Sequence, residues 1–200
     1  MDRLWTPWRS DYVTGKSPGR KGVPDELSSW PGEDTSCVFC NMLAAVLWAK
    51  TDGRQPEMAE RAAGILTMQE HCFVCLNAFP YSSGHLMILP YSHTASLASL
   101  PHETAAELIS LAQHAEGWLR DSYTPDGLNF GMNLGEAAGA GVAGHLHLHG
   151  LPRWAGDGNF MTTTADTRIL PETLGHTWSK LRDAIRRDAT LAVHETSTSK

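Results

Sequence analysis

Histidine alternates with leucine over five positions of this chain, His145-Leu146-His147-Leu148-His149. In an extended strand successive side chains take opposite faces, so the three imidazoles share one face while Leu146 and Leu148 point toward a core. Successive histidines on that face stand about 6.5–7 Å apart. Rings that close disfavour one another's positive charge, which shifts their titration. A neutral imidazole is a competent nucleophile near pH 7. Its attack on phosphorus gives a phosphoramidate and divides one difficult displacement into two easier ones. Two other readings compete. The rings could form the solvated face of an edge strand. They could also hold a catalytic zinc ion with water, but three ligands from one strand span too far for bonds of about 2.0–2.1 Å. Neither accounts for the run from Gly135 to Gly144 (GEAAGAGVAG), whose small residues let backbone N–H groups approach phosphate oxygens.

The four cysteines form two Cys-x-x-Cys pairs, Cys37-Val-Phe-Cys40 and Cys72-Phe-Val-Cys75. In a reducing compartment such pairs suggest metal binding or plain packing before disulfides. The first precedes a helix, and a turn there can aim both thiolates at one ion. The second sits in a strand, where a spacing of three residues puts the thiols on opposite faces; Cys72 and Cys75 read as packing residues. A closed structural zinc site on the first pair needs two more ligands.

The elements that must position these groups read as α+β. Residues 1–35 carry Pro7, Pro18, Pro24 and Pro31 among glycine, serine and charged residues, yet also Trp5, Trp8 and Trp30. This is the pattern of an irregular N-terminal arm that packs on the body or on a neighbouring subunit. A helix is expected over Asn41–Lys50, stopped by Asp52-Gly53. Ile65–Met68 and Cys72–Leu76 read as a hairpin, His85–Leu89 as a third strand and Leu128–Leu134 as a fourth. The histidine run is the fifth. His102–Tyr123 carries Ala105, Leu108, Ala112, Ala115 and Leu119 at helical spacing, and Thr173–Arg187 is a C-terminal helix. A mainly antiparallel sheet with flanking helices follows, as a domain over 36–188 with a polar tail at 189–200.

A hydrophobic content of 42% with 19% charged residues is ordinary globular composition. The formal net charge of -6 supplies no basic field for nucleic acid. No stretch approaches the roughly 18 apolar residues of a spanning helix, and the N-terminus does not read as a signal peptide. The expectation is a cytoplasmic protein with neither nucleic acid nor membrane as partner.

On the histidine run the chain resembles the histidine triad (HIT) family, whose motif is His-φ-His-φ-His-φ-φ with φ hydrophobic. Residues 145–151 match it except at Gly150, where the family has a hydrophobic residue; a local adjustment in packing is expected there. The likeness continues through Leu4-Trp5-Thr6-Pro7-Trp8-Arg9, Asn77 to His85 (NAFPYSSGH), Asn129 to Gly135 (NFGMNLG) and Pro152-Arg153-Trp154. These stretches are similar to the bacterial, diadenosine tetraphosphate phosphorylase-like branch. The resemblance implies a HIT-like fold and His147 as the nucleophile on an α-phosphorus. It implies His149 on the phosphate or leaving group, and His85 as a further histidine near that phosphate. A lone histidine starting a strand is otherwise more often structural. Asn77 matches a ribose contact, with a turn-capping asparagine before Pro80 as the rival reading. Asn133 with the backbone of Gly139, Ala140, Gly141 and Val142 would line the phosphate pocket, and Trp154 would either cover the site or pack in the core. The family also completes Cys-x-x-Cys sites with the histidine of Pro-x-x-His and the first triad histidine. Here that implies zinc on Cys37, Cys40, His93 and His145.

The implied function is cleavage of an adenine nucleotide or dinucleoside polyphosphate, diadenosine tetraphosphate plus phosphate giving ATP and ADP. The alternatives are a hydrolase of the same family acting with water, and a nucleotide-binding or scaffold protein without turnover. Family members are commonly dimers, so a homodimer or higher homo-oligomer is expected.

Overall fold

The computed structural model describes residues 21–155, 157 and 172–191. The expectations for Trp5, Trp8 and the tail from His194 lie outside them. Five strands, β1 (Ile65–Met68), β2 (Cys72–Leu76), β3 (Leu86–Pro90), β4 (Gly127–Met132) and β5 (Leu148–Arg153), form one sheet. Its order is β1-β2-β3-β5-β4, and every neighbouring pair is antiparallel. Four helices flank it: α1 (Val38–Thr51), α2 (Pro56–Ala63), α3 (His102–Tyr123) and α4 (Leu174–Arg187). Among the described residues no helix is long and apolar enough to cross a membrane.

Both faces of the sheet are covered, because the strands alternate two sets of apolar side chains. Leu66, Val74, Ile88, Leu146 and Leu148 pack against Leu108, Leu111, Ala115 and Leu119 of α3 and Trp178, Leu181 and Ile185 of α4. Ile65, Phe73, Cys75, Met87 and Leu89 pack on the other face against Phe39, Met42, Leu43 and Val46 of α1, with Leu27 and Trp30 from the segment before it. Cys72 and Cys75 fall in opposite clusters, and burial pushes both thiols up to about 12. The irregular segment at 21–35 is therefore laid on the body, with Leu27 and Trp30 buried.

Three differences from the sequence expectations bear on the site. Helix α1 starts at Val38, ahead of Asn41, with Cys37 as its N-cap. The buried Asn41 side chain explains the early start: it accepts from the Thr35 N–H at 2.8 Å and donates to the Lys21 carbonyl at 2.9 Å, tying the incoming loop to the first turn. Helix α2 has no counterpart in the sequence reading, although Pro56 in its first turn and Gly64 beyond its end, at φ +70°, are the usual start and stop signals. The histidine strand is shorter than expected. β5 begins at Leu148, and the Leu146 N–H donates to the Thr94 carbonyl at 2.6 Å. Opposite this lead-in stands Pro90, which has no N–H to extend the ladder and whose carbonyl is taken by the His145 ring.

Gly150 shows its packing adjustment directly. A Cβ there would lie 2.6 Å from Cε1 of Phe130, its register partner on β4, and 3.1 Å from Cδ1 of Leu86 on β3. The Phe130 ring occupies the space that a side chain at position 150 would need. Gly150→Ala is expected to cost on the order of 1 kcal/mol, by the overpacking range. In a Phe130→Ala background the same change should cost less, as urea denaturation of the four variants would measure.

Where α3 meets α4, Asp188 receives the Trp118 indole N–H at 2.9 Å and the His114 ring at 2.8 Å. Burial raises its pKa, but hydrogen bonds from Thr190, Trp118 and His114 outweigh this and hold the carboxyl well below the usual carboxylate range. A carboxyl depressed in the folded state stabilises above its unfolded pKa of about 3.9, and that contribution fades as pH falls below it. Asp188→Asn should lower stability by about 1 kcal/mol at pH 7, discounted for partial exposure. The difference from the parent should shrink in urea titrations taken toward pH 3.

Candidate active site and metal centre

The strand order sets the site. β5 lies between β3 and β4, so His149 sits opposite Met87 on one side and Gly131 on the other. A Cβ at Gly131 would meet nothing within 4 Å, which leaves open space over β4 beside the histidine rings. His85 enters from the segment just before β3. Its turn depends on Gly84, at φ +82°, where a Cβ would lie 2.8 Å from the Tyr123 ring. The structure thus brings His85, His147 and His149 together, with ring centroids 5.1 Å apart for His85 and His149 and 4.8 Å for His147 and His149. The His147–His149 spacing is shorter than the strand repeat because the two rings lean toward each other edge to face.

Hydrogen bonds to backbone assign the ring protons. Nδ1 of His147 lies 2.7 Å from the His145 carbonyl, an acceptor only, so Nδ1 carries the proton and Nε2 keeps its lone pair. The Tyr81 N–H donates to Nδ1 of His85 at 3.1 Å, so the neutral His85 ring carries its proton on Nε2. That proton is donated to Nδ1 of His149 at 3.0 Å, which leaves the His149 proton on its own Nε2. Burial keeps the rings neutral. It pushes His85 down to about 3, helped by His149 and His147, and His149 down to about 4, helped by His147. Burial also holds His147 below the ordinary imidazole value, against the upward pull of its bond to the His145 carbonyl. The cluster therefore offers one bare imidazole nitrogen beside one N–H donor.

The first triad histidine does something else. His145 is buried, its Nε2 lies 3.0 Å from the Pro90 carbonyl, and its Nδ1 lies 3.4 Å from Cys37 Sγ and 3.6 Å from Cys40 Sγ. His93 Nδ1 lies 3.4 Å from Cys40 Sγ. The ligand atoms of Cys37, Cys40, His93 and His145 all fall within 4.8 Å of one another. A tetrahedral zinc ion with Zn–S near 2.3 Å and Zn–N near 2.0–2.1 Å separates sulfur from nitrogen by about 3.5 Å, which the observed spacings fit. The Pro90 carbonyl fixes the His145 tautomer so that Nδ1 presents its lone pair inward, the usual outer support of a metal-binding imidazole. Burial raises the Cys37 thiol, but bonds from His145 and Cys40 bring it down to about 6. Burial and the adjoining Cys37 sulfur push Cys40 up to about 11. A second cluster, Glu70, His71 and Glu107, is close enough to hold an ion, but there Glu107 Oε1 already accepts the N–H groups of His71 and Cys72.

The remaining expected residues divide. Asn77 reaches the cluster, its Nδ2 3.5 Å from His85 Nε2, while its Oδ1 accepts the Phe79 N–H at 2.9 Å. It is therefore both a site neighbour and the turn cap of the rival reading. Asn133 lies beside Gly139, 3.9 Å from where a Cβ there would stand. In the glycine loop, the Gly139 and Ala140 N–H groups donate to the carbonyls of Glu136 and Gly135 within the loop itself. Trp154 is not brought to the histidines. It follows β5 at the far end and packs edge-on against Tyr123 of α3, ring centroids 6.3 Å apart.

Two aromatic residues at the site escape the sequence reading. Tyr81 stacks on His85, with centroids at 4.9 Å, and also approaches His149. Phe39 touches both His145, at 5.5 Å, and His147, at 5.4 Å. Their only sequence signals are position: Tyr81 stands four residues before His85, and Phe39 inside the Cys37–Cys40 pair.

The HIT domain model matches residues 59–156. Over 177 residues the sequence is 30% identical to AP-4-A phosphorylase of Mycobacterium tuberculosis, which covers 88% of this chain and 80% of that protein. Among solved structures, a zinc-bound histidine triad family protein from Mycobacterium smegmatis superposes with a TM-score of 0.54 at 28% identity, over 81% of this chain and 97% of the other. A hypothetical histidine triad nucleotide-binding protein from Sulfolobus tokodaii gives a TM-score of 0.55 at 24% identity, over 75% and 92%, a likeness of fold.

Protein purified without added zinc is expected to carry about one equivalent of it by elemental analysis. Cys40→Ser or His93→Ala should release the metal and lower the melting temperature sharply, since a structural zinc can contribute on the order of 10 kcal/mol to folding. Less than one equivalent, scattered among several metals, is the outcome that defeats this expectation.

Proposed function

Because the chain belongs to the HIT domain family, we propose that it is a nucleotide-processing enzyme that cleaves dinucleoside polyphosphates through a nucleotide bound covalently to His147. The observation that carries this reading is the proton assignment: His147 Nε2 is bare because Nδ1–H is held by the His145 carbonyl at 2.7 Å. In this reading Nε2 attacks the α-phosphorus of an adenine nucleotide, and the bond to the bridging oxygen breaks. The departing phosphate oxygen accepts a hydrogen bond or the proton from Nε2 of His149. His85 keeps His149 in the tautomer that has a proton to give. Phosphate then attacks the nucleotidyl-His147, so that diadenosine tetraphosphate yields ATP in the first step and ADP in the second. Asn77 is assigned to the ribose, and Asn133 with the backbone of Gly139, Ala140, Gly141 and Val142 to the phosphates. Trp154, packed away on Tyr123, is assigned no contact. Zinc on Cys37, Cys40, His93 and His145, when bound, supplies structural tethering of α1 to the lead-in of β5.

The working assembly is proposed as a homodimer or larger homo-oligomer in the cytoplasm. Among the described residues β4 is an edge strand of the sheet, with Phe130 and Leu134 exposed near it, a surface on which a second copy can pair.

Incubation with radiolabelled diadenosine tetraphosphate should label the protein on His147, and His147→Ala should remove both label and turnover. Turnover that survives the substitution at saturating substrate would return the chain to a binding or scaffold role. ADP that appears only when phosphate is supplied marks phosphorolysis, whereas AMP formed equally well without phosphate marks the hydrolase. The lowered histidine values give a pH expectation. Neutral imidazoles are retained in the folded protein below the unfolded value of about 6.5, so labelling in single-turnover experiments should stay level from pH 8 to 6.5. The acid limb should lie below 6.5. An inflection at or above 6.5 contradicts a buried neutral nucleophile.

A further inference from the structure

Phe39 stands at the junction of the cysteine pair and the histidine cluster. Cys37 caps the N-terminus of α1 and Cys40 lies in its first turn, so the backbone that carries Phe39 is held from both sides by residues of the four-ligand site. The side chain is buried, in edge contact with His145 at 80° between the ring planes and tilted at 54° against His147. On the side of His149, the His147 ring meets that imidazole edge to face. Among the described residues the His147 ring is restrained by a hydrogen bond from Nδ1, by the His149 ring and by the Phe39 ring. The hydrogen bond alone does not define the ring plane, because the χ2 well of histidine is broad. Orientation of a nucleophile is also where small errors are amplified, since a displacement of about 1 Å can cost about a hundredfold in rate.

We propose that Phe39 is a positioning residue that sets the orientation of the His147 imidazole, so that occupancy of the Cys37–Cys40–His93–His145 site by a metal ion is transmitted to the nucleophile. A metal ion bound to these four residues would hold the first turn of α1, the first turn holds the Phe39 ring, and that ring meets His147. The inference rests on the reading of His147 as nucleophile, but the orientation of its ring is observable without any reaction.

The test uses zinc-loaded wild type, Phe39→Ala and Phe39→Leu, with zinc content measured for each. Phe39→Ala should keep its zinc and bind diadenosine tetraphosphate with KM within about twofold, while kcat falls roughly ten- to a hundredfold, as expected for a misplaced reacting group. Phe39→Leu, which refills most of the space, should recover much of kcat. Nitrogen-15 spectra of the histidine rings supply the readout independent of turnover. Wild type with zinc should show His147 as one Nδ1–H tautomer, and Phe39→Ala should show an averaged signal. Chelation of zinc should move the His147 signal further in wild type than in Phe39→Ala, where the path through the His145 carbonyl alone remains. A zinc-replete Phe39→Ala with unchanged kcat and an unchanged His147 signal overturns the proposal, as does loss of zinc from both variants in step with kcat. If wild type itself forms no nucleotide adduct, the proposed function fails while the ring spectra still decide the role of Phe39.

Discussion

His145 holds the Pro90 carbonyl at 3.0 Å through Nε2 and faces Cys37 and Cys40 at 3.4 and 3.6 Å through Nδ1, while its own carbonyl takes the His147 ring proton at 2.7 Å. Three stretches distant in sequence meet there: the start of α1, the end of β3 and the lead-in to β5. Freed from any one of them, the His145 backbone could turn, and the carbonyl that leaves His147 Nε2 bare would turn with it. The shortened fifth strand belongs to the same constraint. A regular ladder through His145 would direct that carbonyl to a neighbouring strand, whereas the irregular lead-in directs it to a side chain two residues on.

The electrostatics follow from where the sheet lies. With helices on both faces, the rings of His85 and His147 are almost wholly removed from solvent, and neutral imidazoles are the state such a site tolerates. Neutrality gives the hydrogen bonds their direction, because a neutral ring has one donor and one acceptor. The chain from the Tyr81 N–H through His85 to His149 therefore runs one way only.

Residue type carries most of what the sequence makes legible. The His-Leu alternation, the Cys37–Cys40 pair and the long α3 are each recognisable alone, and the paired strands follow from their apolar runs. What lies beyond the sequence depends on contacts between distant segments. Nothing local says that β5 starts at Leu148, since the reason is a proline on another strand. Helix α2 is short, and its signals are two residues at its ends. Phe39 and Tyr81 read as ordinary apolar positions until the fold sets them against histidine rings. For Trp154 the family likeness left two readings open, and the structure sets the ring against Tyr123, away from the histidines.

The loop before the histidines has a consequence for selectivity among anions. Its Gly139 and Ala140 N–H groups are already engaged by the Glu136 and Gly135 carbonyls. An anion that arrives there must compete with those carbonyls for the same protons, and part of its attraction goes into opening the turn. A small free ion has nothing else to hold it while the turn opens. On the proposed function, a nucleotide held also at its ribose would have contacts elsewhere to offset that opening, so the closed loop would favour an extended ligand over an ion bound at the loop alone.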